Sequence, residues 1–253
     1  MKLVMIIKKE CLETFRIHRW LWLPVFFLLL GLMQPLTSNF LSDILEQFGG
    51  LPEGAVIEIP APSSEEVYGA TLGQFTQLGT IVLVLAFMGS ISEERRSGEV
   101  KMLLLRPVSY ASYWFGKFIV SSTVMTVSFL LGIGIALFYI QLLFEPILMP
   151  ALYGSLAMYW LWMLFIIAVT TTFSTLIKRQ TVVAVCSLIV VFGMQMFASM
   201  FTSIASWTPG ALPNLAVAMA TEEIVLPIAS TIFSIALVAW MSVLYMKKTD
   251  WLY

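Results

Sequence analysis

Six stretches without a single charged residue dominate this 253-residue chain: residues 20–36, 72–91, 118–143, 152–177, 181–204 and 224–246. Crossing a hydrocarbon core about 30 Å thick takes roughly 20 apolar residues at about 1.5 Å of rise each, so every stretch is near or above the length of one membrane span. The first is the shortest and needs a turn from its flanks. Lipid offers no partner to backbone amides and carbonyls, and none of the stretches alternates polar and apolar residues as a barrel strand would, so helices are expected. Only 11% of the residues are charged, against about 25% in soluble domains. The expected fold is an all-α polytopic membrane protein, one transmembrane domain over residues 1–253 with no length left for a separate soluble catalytic domain.

Orientation follows from the cations, because cytoplasmic loops retain Lys and Arg during insertion. Lys2, Lys8, Lys9, Arg16 and Arg19 precede the first stretch, and Arg95, Arg96, Lys101, Arg106 and Lys117 lie between the second and third. Lys178 and Arg179 separate the fourth and fifth, and Lys247 and Lys248 follow the sixth. All 14 basic residues thus fall on one side, while the other side holds only acids: Asp43, Glu46, Glu53, Glu58, Glu65, Glu66, Glu145, Glu222 and Glu223. The near-neutral net charge of -1 hides this polarity, and both termini are expected in the cytoplasm. Cys11 and Cys186 fall in different settings and are read as unpaired thiols.

Outside the spans, residues 1–19 place Leu3, Ile7, Cys11 and Phe15 on one helical face, against Lys8, Lys9, Glu13 and Arg16. That is the pattern of an amphipathic helix lying in the membrane interface. Residues 38–71 are the longest outer segment, with a short amphipathic helix at Leu41, Ile44, Leu45 and Phe48 and the rest read as loop. The connection 203–223 is short and apolar, which suits either a re-entrant element or a cap on the bundle.

The inner loop, residues 92–117, has a sequence of its own: SEERRSGEVKMLLLRPVSYASYWFGK. Val100, Leu103 and Leu104 form an apolar stripe between Glu99, Lys101 and Arg106, and Pro107 bars continuation. A short amphipathic cytoplasmic helix ending near Leu105 is expected, and such a helix needs a surface to dock on.

The run Glu94–Arg95, Ser97–Gly98–Glu99, Met102–Leu105, Arg106–Pro107–Val108–Ser109 and Gly116–Lys117 resembles the signature of type-2 ABC transporter permeases. The likeness extends over essentially the whole chain: an N-terminal elbow helix, six spans with both ends inside, and a partly re-entrant connection before the last span. It implies a permease subunit in a bacterial cytoplasmic membrane, paired with a second permease copy or a related one and with two ATPase subunits. Those subunits would bind ATP and Mg and dock through the coupling helix, residues 93–105, and the elbow. The implied contact residues are Glu93, Glu94, Arg95, Arg96, Glu99, Val100, Leu103, Leu104 and Arg106. No cofactor is expected in this chain and no nucleic-acid partner. The residues agree independently, since Ala111 and Phe118 stand where a phosphate-binding loop around Gly116–Lys117 would need Gly and Ser or Thr.

Other classes fit less well. The six stretches carry no ionisable residue of the kind a secondary transporter uses for coupling. His18 sits among interfacial cations, and no Gly-x-Ser-x-Gly or His-Glu-x-x-His occurs, so an intramembrane enzyme has little support. No charged ring or filter-like segment marks a channel. Within the spans, the hydroxyls Thr170–Thr172, Ser174 and Thr175 are read as helix packing. In the family the second and fifth spans line a central pathway, which the resemblance assigns here to Gln74, Gln77, Met194, Gln195 and Met196. Flexible methionines beside a mid-membrane amide suit an amphipathic or lipid-like export substrate.

Overall fold

The structure, a computed structural model, describes residues 2–40, 62–100, 109–147, 149–220 and 224–249, and among these there is no strand. Helix α1 (Lys2–Arg16) meets α2 (Arg19–Asn39) at His18, whose φ of 57° is left-handed and turns the chain sharply. The second long helix comes in pieces: α3 (Ser64–Gln74), a π-helical turn (Phe75–Gly79), α4 (Thr80–Phe87) and, after a short turn, α5 (Ser92–Ser97). Then come α6 (Tyr110–Leu143), α7 (Met149–Leu176) and α8 (Gln180–Met200). The connection to the last helix, α11 (Val225–Lys248), is built from α9 (Thr202–Ala205), a 3-10 turn (Pro209–Ala211) and α10 (Leu212–Val217). Counting Ser64–Ser97 as one, 6 helices among the described residues are long and apolar enough to cross a membrane, one for each expected span.

Three boundaries differ from expectation. Residues 64–71, read as loop, are helical. Ser63 caps them by accepting from the Glu66 amide at 3.2 Å, and the Glu66 carboxylate accepts from the Ser63 amide at 3.0 Å, a reciprocal capping box. Residues 110–117, also read as loop, are the first two turns of α6, capped by the Ser109 hydroxyl accepting from the Ser112 amide. At 34 residues this helix is about 51 Å long, so its first turns extend beyond the apolar stretch. The fifth span closes at Met200, four residues early, and the chain re-forms a helical turn as α9. The short helix expected around Leu41–Phe48 lies outside the described residues.

The core is closed by α2 packing along α6, the most extensive helix pair. Ser128, Gly132 and Ala136 lie four residues apart on α6 and are buried, which lets the backbones approach closely as small-residue stripes do. A Cβ on Gly31 would sit 2.0 Å from the Gly132 carbonyl oxygen, and one on Gly132 would sit 2.6 Å from that of Phe27. Next to this seam an aromatic chain runs through four elements. Phe27 meets Phe75 edge-on at 5.3 Å, Phe75 meets Phe129 at 6.2 Å, and Phe129 stacks on Tyr159 at 5.5 Å. Each such pair adds about 0.5–1.5 kcal/mol beyond its buried area.

The connection after α8 folds back against the helices. Leu212 and Ala216 are fully buried, and α10 packs on α7 and α3. The Ser155 hydroxyl of α7 donates to the Ala216 carbonyl at 2.5 Å, so the Tyr68 hydroxyl 2.9 Å away must donate to Ser155. Gly210 admits this path, since a Cβ there would come 2.2 Å from the Met194 carbonyl oxygen. The described part of this connection is thus a buried segment packed on α3, α7 and α8, an arrangement that both expected readings, a re-entrant element and a cap on the bundle, would give. Burial is uneven across the spans: 61% of the α7 span is buried but only 28% of α8 and 17% of α11. The last two therefore keep broad apolar faces for lipid or another chain.

Candidate functional site

At the basic end of the bundle, α5 begins with Glu93 and Glu94 and ends with Arg95 and Arg96, the order that a helix dipole favours. Gly98 at φ 80° closes it in the left-handed conformation that glycine adopts without strain. The expected continuous helix 93–105 is therefore interrupted at Gly98, with helical backbone resuming at Glu99 and Val100. Residues 101–105 of that helix lie outside the described residues.

Two contacts fasten α5 to the end of α7. The Ser174 hydroxyl accepts from the amides of Ile91 and Ser92, each at 2.9 Å, and donates to the Met88 carbonyl at 2.9 Å. All its hydrogen-bonding capacity is thus used. The Arg95 guanidinium donates to the Thr175 carbonyl at 2.6 Å, satisfying an acceptor that the helix end leaves open. Of the neighbouring buried hydroxyls, Thr172 accepts from Ser242 of α11 at 3.0 Å, while Thr170 and Thr175 donate back to carbonyls of their own helix.

Sequence reasoning does not find the cluster that α5 makes with α1 and α6. Lys117 is only 1% exposed, and its ammonium lies 2.9 Å from a Glu10 carboxylate oxygen and 3.1 Å from one of Glu94. Lys9 pairs with Glu94, with Glu10 at 3.3 Å and with Glu13 at 3.1 Å. The Tyr113 hydroxyl donates to the other oxygen of Glu94. Burial disfavours the Lys9 ammonium, but the Glu10 and Glu94 carboxylates outweigh it and hold its pKa above the usual lysine value. Carboxylate oxygens of Glu10, Glu13 and Glu94 converge within 4.8 Å of one another. In a bare acidic trio that would suit a cation, and here the two ammonium groups already fill that role.

The geometry explains why each residue faces inward. On α1 the protein-facing stripe is Ile6, Glu10 and Thr14, spaced by four, all buried. Leu3, Ile7 and Cys11 are half-buried, and Phe15 is exposed. Gly116 lets α1 approach α6, since a Cβ there would lie 2.6 Å from the Ile6 side chain. Tyr113 and Lys117 are one turn apart on α6 and share a face, a spacing that becomes a usable signal once residues 110–117 are helical. Lys117, which the sequence presents as a loop cation, is thus a buried ionisable group inside the third long helix.

The implied contact residues divide accordingly. Glu93, Arg96 and Glu99 are exposed. Glu94 and Val100 are 2% exposed, covered by this chain's own side chains, so they do not offer a surface to a partner. Arg95 holds α7. Leu103, Leu104 and Arg106 lie outside the described residues.

The implied pathway residues divide too. Gln77 and Met196 are exposed, Met194 packs against the core, and Gln74 and Gln195 are half-buried. Gln74 directly precedes the π-helical turn, and its side-chain oxygen is buried without a hydrogen-bond partner. π-turns inside spans are often found where function needs an irregular backbone. Among the described residues no hydrogen bond joins Gln74 or Gln77 to the Met194–Met196 group.

Comparison with known proteins agrees with this architecture. The family model described as ABC-2 family transporter protein matches residues 4–228. The transmembrane protein YxlG of Bacillus subtilis (strain 168) is 34% identical over 210 residues, covering 83% of this chain and 81% of that one. Six apolar helices and a match running through nearly all of them place this multi-pass membrane protein in the ABC-2 transporter family.

Proposed function

We propose that the chain is the permease subunit of an ATP-driven exporter in a bacterial cytoplasmic membrane, with both termini and the basic loops inside. It is not itself an ATPase. Two separate ATPase subunits bind ATP and Mg and dock on the basic end, where Glu93, Arg96 and Glu99 are exposed, and a second permease copy or a related one completes the transporter. The observation that supports this most is the buried charge cluster. It ties α1, α5 and α6 into one body, so a push on α5 from the cytoplasm is delivered to a helix about 51 Å long rather than lost in a flexible loop. Arg95 and Ser174 pass the same push to α7.

The substrate is amphipathic, of peptide, drug or lipid-like kind. This rests on α8, whose exposed Met196 and half-buried Gln195 combine an adaptable apolar surface with one amide. In inside-out vesicles containing the chain and its ATPase, ATP should drive uptake of a fluorescent amphipathic dye. Gln195→Leu should slow that uptake severalfold while the amount of bound ATPase is unchanged. Equal uptake by the variant would remove Gln195 from the pathway, and absence of ATP-dependent uptake across a panel of peptide, drug and lipid probes would count against export.

A further inference from the structure

Opposite its buried stripe, α1 presents Val4, Met5, Leu12 and Phe15, each 56–67% exposed. Lys8 and Arg16 stand on the same face two turns apart. Among the described residues neither takes part in an ion pair, whereas Lys9 beside them is engaged by Glu10, Glu13 and Glu94. An open groove of about 780 Å³ runs along this face, lined by Met5, Lys8, Leu12 and Arg16 together with Glu99. That is within the usual 300–1,000 Å³ of ligand sites.

We infer that this face binds the headgroup of an anionic phospholipid, with Lys8 and Arg16 on the phosphate and Met5 and Leu12 against the upper acyl chains. Three observations select that occupant. Four large apolar side chains around two unpaired cations are costly in water but are what a helix in the headgroup region requires. Lys9 is taken up by Glu10, Glu13 and Glu94, which leaves Lys8 and Arg16 for a ligand, and two such cations favour a headgroup with a net negative charge over a zwitterionic one that carries its own cation. The helix also turns directly into the first span at His18, so its free face lies where headgroups are. A soluble anion would leave Met5 and Leu12 uncovered. The site stands independently of what the chain transports.

The test titrates the purified full-length chain with phosphatidylglycerol and with phosphatidylcholine, counting bound lipid by native mass spectrometry. At about 1 kcal/mol per surface cation, two cations correspond to a preference for phosphatidylglycerol of about 30-fold. Lys8→Gln with Arg16→Gln should reduce that preference to near parity, and each single variant should lose about fivefold, which keeps the test open if the double variant does not fold. Lys247→Gln with Lys248→Gln, at the exposed end of α11, should keep most of the preference. The proposal is overturned if the wild type binds both lipids equally or if the Lys8/Arg16 variant binds phosphatidylglycerol like the wild type. It is overturned equally if the α11 variant loses as much, or if millimolar inorganic phosphate displaces the lipid.

Discussion

Replacing Lys117 by Met should destabilise the protein by about 3–5 kcal/mol, the usual consequence of removing one partner from a buried charge group. Two ammonium groups face the carboxylates of Glu10 and Glu94 at the junction of α1, α5 and α6. Without Lys117, both carboxylates stay buried with Lys9 alone to compensate them. Lys9 also serves Glu13 and is a third exposed. The melting temperature in detergent should fall by many degrees, and protease should cut α1 free before the spans unfold. The double variant Lys117→Met with Glu10→Met should recover more than half of the loss, because an apolar pair can replace a buried ion pair at little cost while a lone buried charge cannot be tolerated. A Lys117→Met protein as stable as wild type would mean that the cluster does not hold α1 to the bundle.

Gly132→Leu should be comparably damaging for a different reason. A Cβ at this position meets the backbone of Phe27 at 2.6 Å, and the reciprocal contact at Gly31 is shorter still. Backbone cannot move aside as a flexible side-chain tip can, so α2 and α6 must separate along the largest helix contact of the fold. Overpacking usually costs about 1–3 kcal/mol, and this substitution belongs at or above the top of that range. Gly134→Leu supplies the control. It lies two residues further along the same helix, where a Cβ would meet nothing within 4 Å, and it should be neutral or slightly stabilising through helix propensity. Thermal unfolding of the two variants side by side gives the comparison, and equal melting temperatures would refute the close α2–α6 seam.

The spans and the polarity of the charges are legible in the sequence because lipid leaves the backbone no alternative to helix and because the cations segregate completely. What is not legible has local causes. Proline and glycine upstream and two acids within it make the stretch 64–71 look like loop, yet Ser63 with Glu66 three residues on is a helix-start signal in its own right. Residues 110–117 are hidden by their polarity and by Pro107 just before them. With that stretch taken as loop, Lys117 looks like one more topogenic cation, and its burial against Glu10, 107 positions away, is a tertiary fact that no window reveals. Glu94 looks like a partner contact for the same reason. An apolar stripe on α1 is visible, but which face meets the protein is not, since the stripe that packs inward contains Glu10 and Thr14 and makes sense only once Lys117 is opposite. The π-turn beside Gln74 has no recognisable signal in the residues themselves.

If the basic end of this chain receives force from a separate ATPase through α5, as proposed, that ATPase should stay bound to it. The most direct measurement purifies the tagged full-length chain from its own membrane and quantifies the ABC ATPase bound to it, in the wild type and with Glu93→Lys and Arg96→Glu combined. Both side chains are exposed and make only a marginal contact with each other at 4.0 Å, so the fold should not change. An ATPase is expected at stoichiometric level on the wild type, with a loss of at least fivefold on the variant at equal yield of the chain. A wild-type chain that carries no such ATPase, or a charge-reversed chain that retains it in full, would contradict the proposal.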